Sequence, residues 1–264
     1  MSKVLHTFVV LAYKESDLLE ECIKSVLNQT IKTNVVIATS TPNDFITKLA
    51  KKYNLEIKVN KGKKGIGYDF DFASNCVDSE LVTISHQDDI YDSTYAEEVI
   101  TQYKKYPKAT ILFTDYYEIR NNKKVKTNTN LKIKIILLFP LRLKLLCNRK
   151  FIKRCALRLG NAICCPAVTF VTNNTPKEKF ACDLKCNIDW YCWEKLSKKK
   201  GYFIFIPKKL MGHRIHEEST TTEIIGERIR TKEDYLMLCK FWPKKIAKFI
   251  NKFYVKAENS NKSE

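Results

Sequence analysis

Two adjacent carboxylates, Asp88 and Asp89, follow almost directly on the apolar run Leu81-Val82-Thr83-Ile84. Side by side at neutral pH they repel each other unless water screens them or a cation is shared, and a divalent metal resolves that conflict. Mg2+ and Mn2+ favour oxygen ligands and combine one or two carboxylates with substrate phosphates, so the pair suits a phosphate-bearing substrate. An Asp pair also serves as a solvated turn and helix cap, and it gains meaning only from its company. Far along the chain, Asp189-Trp190 opens a helical stretch. A carboxylate there caps a helix by default, but beside an acceptor hydroxyl it could take up the proton, with Trp190 walling the acceptor pocket. Finally, Gly212 to Thr220 groups His213, Arg214 and His216 with hydroxyls after a strand. Guanidinium matches phosphate geometry, and imidazole can ligate a metal.

These residues need elements to bring them together. An apolar, β-branched segment over 4–13 precedes Leu19, Cys22, Ile23, Val26 and Leu27 at helical spacing, with Ser16 or Asp17 as cap. The alternation continues with strand 35–37, helix 44–53, strand 56–59, helix 68–76 and strand 81–84. Helix 93–106, stopped by Pro107, and strand 110–114 complete it. This pattern predicts a doubly wound, mainly parallel sheet, in which ligands sit at the carboxyl ends of the strands. Functional weight therefore falls on Tyr13, Lys14 and Glu15, on Thr39, Ser40, Thr41 and Asn43, and on His86, Gln87, Asp88 and Asp89. Past Tyr117 the alternation fails, although a helix over 188–199 and a strand over 203–206 are expected. After Pro243, Ile246, Phe249, Ile250 and Phe253 mark one face of a basic amphipathic helix.

The chain has 264 residues, enough for one large domain or two small ones. An apolar content of 44% with only 7 Gly and 7 Pro excludes collagen-like, low-complexity and wholly disordered classes. The formal charge is +18, and its location is informative. Residues 121–160 hold 12 basic side chains and no acidic one, and residues 240–256 hold 6 Lys, also without a carboxylate. Those two stretches account for the whole excess, so the body is neutral. Candidate partners are nucleic acid, an anionic leaflet or a phosphate-bearing substrate. Neither zinc fingers nor an RNA-recognition signature occurs, and no nucleic-acid partner is expected. Gly62, Gly65 and Gly67 have the wrong spacing for a dinucleotide fingerprint. The 10 Cys lack paired C-x-x-C knuckles and read as reduced core residues. No apolar run approaches the roughly 20 residues that span a bilayer, and the N-terminus lacks a signal-peptide pattern, which predicts a cytoplasmic protein.

Four passages together resemble the family 2 nucleotide-sugar glycosyltransferases, which have the Rossmann-like GT-A fold. They are Thr7 to Glu15 with Leu19 to Thr30, Ile84 to Tyr91, Asn187 to Trp190, and Arg214 to Thr220, and the resemblance covers about residues 4–225. It implies inverting transfer of a sugar from a nucleoside diphosphate sugar, with Mn2+ or Mg2+. Asp88 would contact ribose or metal, Asp89 would bind the metal, and Asp189 would be the general base. Arg214 and His216 would hold the diphosphate or complete the metal shell, and Trp190 would meet the acceptor. Ala12, Tyr13, Glu15, Thr39, Ser40, Asn75 and Gln87 are expected around the nucleotide sugar. The chain departs from the family pattern in three places: His86 replaces an acidic residue, Thr39-Ser40 stands where an Asp reads the base, and Ser74 replaces an Arg. A uridine or thymidine diphosphate sugar is expected.

The expected division is a GT-A domain over 1–225, with a nucleotide-sugar half to about 118 and an acceptor half after it. A basic helical extension over 226–264 follows. Basic and apolar residues alternate in 121–160, which suits a lipid interface. The protein is therefore expected at the inner membrane face, using a glycan or polyprenyl-linked acceptor in surface polysaccharide synthesis. A nucleotidyltransferase using the same Asp pair is the competing enzyme.

Overall fold

The computed structural model describes residues 4–215 and 227–260, so the expected metal ligand His216 lies outside the described residues. The first half follows the expected alternation: β1 (His6–Ala12), α1 (Leu19–Leu27), β2 (Asn34–Thr39), α2 (Asp44–Tyr53), β3 (Glu56–Val59), α3 (Ile66–Asn75) and β4 (Leu81–His86). The short β5 (Ile90–Tyr91), α4 (Tyr95–Lys105) and the long β6 (Ala109–Arg120) come next. Sharp local signals set these boundaries. Asn43 caps α2 by accepting the Ile46 N–H at 2.9 Å, and Asn54 ends it in the left-handed conformation, φ 52°.

The second half contains β7 (Lys123–Val125), α5 (Thr129–Leu138), α6 (Lys150–Cys155), β8 (Val168–Val171), α7 (Ile188–Ser197) and β9 (Tyr202–Ile215). It closes with α8 (Glu227–Leu238) and α9 (Lys244–Ser260). Among the described residues one nine-stranded sheet runs β3-β2-β1-β4-β8-β6-β9-β5, with β7 paired to β6. β1, β2, β3 and β4 are mutually parallel, and β6 and β9 form a second parallel pair. β8 lies antiparallel between β4 and β6, a strand the sequence pattern did not announce. The β6–β9 ladder shifts register around Asp115, where β9 carries Pro207, which cannot donate to a ladder.

Register fixes where a ligand can sit. Ala12 lies opposite Thr39 and Leu11 opposite His86, so β1, β2 and β4 end nearly level and their loops face one crevice. Phe8, Val9 and Val10 are all buried, as expected for strands covered on both faces. One side packs under α1, α2 and α4. The other holds Phe180, Trp190 and Trp193, and includes Met237, Leu238 and Ala247 of the last two helices.

Residues 175–187, which lead into α7, form neither helix nor strand and are fastened from outside. Gly67 in α3 touches this loop backbone to backbone: a Cβ there would lie 2.7 Å from the Phe180 carbonyl oxygen. The buried Asp71 carboxylate accepts the N–H groups of Lys179, Phe180 and Ala181 at 2.9 to 3.2 Å. Asp71→Ala would leave these donors without their acceptor. It should lower unfolding stability by about 3 kcal/mol, given the cost of unsatisfied buried groups. Urea denaturation checks this, and an unchanged midpoint would refute the clasp.

Candidate active site

The crevice is held open by bonds between the ends of β1, β2 and β4. The Tyr13 N–H donates to Gln87 Oε1 at 2.8 Å, and Gln87 Nε2 donates back to the Tyr13 carbonyl at 3.1 Å. Gln87, expected at the nucleotide sugar, thus braces β1 against β4. Lys14 turns through φ 56° and its N–H donates to Thr41 Oγ1 at 2.7 Å. Tyr13 and Glu15 are exposed at the rim, whereas Ala12 is enclosed and can offer only its backbone.

At the β2 exit one expectation is corrected. Thr39 is buried and its hydroxyl accepts the Thr41 N–H at 3.0 Å, so it closes a local turn instead of facing a base. Ser40 donates at 2.9 Å to Asp69, whose other oxygen accepts from Asn60 at 2.7 Å. Asp69 comes from α3, and no spacing rule singled it out. It supplies a carboxylate next to the place where β2 itself lacks one. Asn75 is also corrected. Helix α3 starts beyond β3 and must return to the start of β4, so its last residue lies at the far end of the sheet from His86. There the Asn75 amide donates to the carbonyls of Asp71 and Lys177 at 2.5 and 2.9 Å.

At the β4 exit, His86, Asp88 and Asp89 each bring a potential ligand atom to within 4.8 Å of the others. Asp89 is completely buried. Its Oδ1 accepts from His213 at 3.0 Å and from the Arg214 N–H at 2.9 Å. Burial pushes this carboxyl's pKa up, but the charge and hydrogen bond of His213, the charge of His86 and the Arg214 N–H together outweigh it, and the net direction is down. Burial in turn opposes the His213 charge, and Asp89 more than restores it, raising the imidazole's pKa. Asp89 Oδ2 and His86 Nε2 are buried without a hydrogen-bond partner. Orphaned polar atoms beside carboxylates suit a bound cation, so the residues fit a divalent metal.

Arg214 does not take its expected place on a diphosphate. The residue is buried and three of its five side-chain N–H groups go to the Asp88 carbonyl at 3.0 Å, Asn122 at 3.0 Å and Glu21 at 2.6 Å. Its guanidinium instead braces the backbone that presents Asp88.

Asp189 enters from the other half of the chain, on the first turn of α7. It is half-buried, accepts the Trp190 N–H at 2.7 Å, and accepts from Asn161 at 2.5 Å. Burial raises its pKa, and the Trp190 and Asn161 bonds with the charges of Lys134 and His86 oppose that without cancelling it. His86 and Asp189 are thus within electrostatic reach of each other. Trp190 turns into the protein instead: it is 1% exposed, donates to the Leu157 carbonyl at 3.1 Å and stacks on Phe241, so it is core and no acceptor wall. Successive helix positions differ by about 100°, which separates the two side chains.

Lys134 of α5 reaches the same region. Its Nζ bonds the Tyr116 hydroxyl at 2.7 Å, and its charge acts on both Asp189 and His213. The sequence presented it only as one of many lysines.

The model for Glycosyl transferase family 2 matches residues 7–165. Similar solved structures include S. aureus TarS 1-349 in complex with UDP-GlcNAc, with a TM-score of 0.62 at 14% identity over 94% of this chain and 70% of that one. They also include the mannosyltransferase PcManGT from Pyrobaculum calidifontis in complex with GDP-Man and Mn2+. Its TM-score is 0.55 at 12% identity, over 88% of this chain and 61% of that one. At these identities the likeness is one of fold. No curated protein matches the chain in sequence.

If the orphaned atoms mark a cation site, Asp88→Ala should weaken Mn2+ binding at least about tenfold, the scale of losing one ligand or its support. Paramagnetic resonance titration of free Mn2+ reads this directly, and an unaltered titration would remove Asp88 from the site.

Proposed function

The chain belongs to glycosyl transferase family 2 and is a glycosyltransferase; from that premise we propose an inverting, metal-dependent transfer from a nucleoside diphosphate sugar to a hydroxyl acceptor. The observation that carries this reading is the convergence of two carboxylate sets from distant parts of the chain. Asp88 and Asp89 stand at the β4 exit, and Asp189 opens α7 within electrostatic reach of His86. An inverting displacement needs a leaving-group stabiliser on one side of the anomeric carbon and a base on the other. In this reading the nucleotide-sugar half is about residues 1–118, and the acceptor half is 119–225.

His86, Asp88 and Asp89 would hold the metal, with His213 and the Arg214 N–H fixing Asp89 from behind. An imidazole in the donor set favours Mn2+ over Mg2+. When bound, the ion neutralises charge gathering on the departing diphosphate. Ser40 and Asp69 would read the base, since a carboxylate accepts the N3–H of uracil or thymine; this supports a uridine or thymidine diphosphate sugar. Asp189 would take the acceptor's proton at its carboxylate while Asn161 fixes its orientation. TarS and PcManGT are described with UDP-GlcNAc and with GDP-Man and Mn2+, respectively, which supports a nucleotide-sugar donor and a metal here.

No described helix is long and apolar enough to cross a membrane. The 121–160 segment and α9 nevertheless expose Ile136, Phe139, Leu145, Phe151, Phe249 and Phe253 among their lysines and arginines. Leu145 is 87% exposed. Apolar side chains ringed by cations suit an anionic leaflet, which supports peripheral binding and a polyprenyl-linked acceptor. Flotation with vesicles containing phosphatidylglycerol should carry the protein, and high salt or Phe249→Glu should release it. Recovery at the bottom of the gradient at low salt would remove the membrane contact.

A base must be ionised to act, so kcat/KM should fall as pH drops through the raised pKa of Asp189. The acid limb should lie above the pH at which an exposed Asp titrates. Asp189→Asn should lose about 100-fold or more in kcat, the usual worth of a general base. The donor is chosen by calorimetry with a panel of sugar nucleotides and Mn2+. A nucleotidyltransferase working through the same acidic site would keep full activity in Asp189→Asn, and that result would reject this mechanism.

A further inference from the structure

The base Asp189 sits two residues beyond a stretch with no regular structure, and its helix has no side-chain cap of its own: the Asn187 side chain makes no capping bond. A carboxylate meant to meet an acceptor hydroxyl at hydrogen-bond distance needs a rigid support. The support comes from α8, more than forty residues later in the chain. Glu233 Oε1 accepts the Lys185 N–H at 2.7 Å, while Oε2 accepts the N–H groups of Cys186 at 2.8 Å and Asn187 at 3.1 Å. Next to it, Asp234 accepts from the Asn187 amide at 2.8 Å. Glu233, Asp234 and Asn187 are all buried, so water does not compete for these bonds.

Glu233 thus fixes the backbone that leads into α7, accepting three successive N–H groups up to the residue that precedes its first turn. Helix α8 is itself anchored by the buried Met237 and Leu238 and is tied to α9 by Asn251, which donates to the Thr231 carbonyl at 3.1 Å. We propose that Glu233 is a positioning residue for catalysis: by clasping the backbone of residues 185–187 it aims the Asp189 carboxylate at the acceptor. The last two helices are then part of the catalytic apparatus as well as a basic appendage. This rests on the reading of Asp189 as the base.

Glu233→Gln keeps the size but turns one of the two accepting oxygens into an NH2 donor, and Glu233→Asp keeps both oxygens but shortens the reach. Hydrogen exchange on the whole protein should show faster exchange of the amides of 185–187 in both. Slow donor hydrolysis, in which water takes the acceptor's place, reads the base without an acceptor in hand. Glu233→Gln should lower its kcat tenfold or more, with the donor's calorimetric Kd unchanged, and Glu233→Asp should fall between; should the Gln form fail to fold, the Asp form carries the test. In an Asp189→Asn background the Glu233→Gln substitution should add nothing, because the group it aims is gone. Wild-type kcat in Glu233→Gln beside a crippled Asp189→Asn would overturn the clasp alone, as would a fully additive loss in the double variant. Full turnover in Asp189→Asn would overturn the base itself, and the proposal with it.

Discussion

A single buried carboxylate organises the site. Asp89 has no access to water, and a charge in that position survives only if it is paired and hydrogen-bonded. Its partners, His213 and the Arg214 N–H, both come from β9, so the charge can exist only where the end of β4 meets that strand. Backbone pairing brings them there: Ile90 stands opposite Gly212 in the β5–β9 ladder. Only glycine fits at position 212, since a Cβ would lie 2.6 Å from the Tyr117 ring. Arg214 extends the same constraint to α1 through Glu21 and to the β6–β7 turn through Asn122. The orientation of Asp88 and the orphaned oxygen of Asp89 are consequences of this packing.

The first half of the fold was legible because it obeys one rule repeated: an apolar strand, a polar exit, an amphipathic helix. Asp88 and Asp89 stood out at such an exit, and Asp189 stood out at a helix start. What stayed hidden was direction. Arg214, Thr39 and Trp190 were assigned by what their side chains can do, whereas the fold decides which way each points, and all three turn into protein. Asp69, Asn161, Lys134 and Glu233 were hidden for the converse reason. Each is a polar residue in a helix or loop without a spacing signal, and its meaning comes from a partner 18 or more residues away. β8 was missed because four residues between irregular segments carry too little pattern to distinguish a strand.

The basic insertion illustrates how a charge count misleads. Counting treats residues 121–160 as one positive surface, but α5 divides its residues among three directions. Leu131 and Leu138, a heptad apart, are buried; Ile133 and Ile136 face outward; Lys134 lies between, half-buried against Tyr116. Asn128 sets that rotation by capping the helix at the Leu131 N–H while its amide donates to Glu118 of β6. The charge of the segment is therefore not all on the outer surface: Lys134 turns to Tyr116, and Lys153 is buried with its Nζ on the Lys199 and Gly201 carbonyls.

The same geometry shifts chemically identical groups in opposite directions. Asp89 is the more deeply buried carboxylate, yet its pKa goes down, because His213 and a backbone N–H stabilise the charged form. Asp189 is more accessible, yet its pKa goes up, because one amide and one N–H do not repay its desolvation. A group held charged by fixed neighbours suits a cation; a group whose charge is only partly supported binds a proton more readily. Lys134 limits that rise, since its charge opposes the desolvation of Asp189. Moving Lys134 away would make Asp189 hold its proton more tightly. The insertion is thereby coupled to the Asp189 carboxyl through electrostatics, and its helix must keep the rotation that Asn128 imposes for that balance to hold.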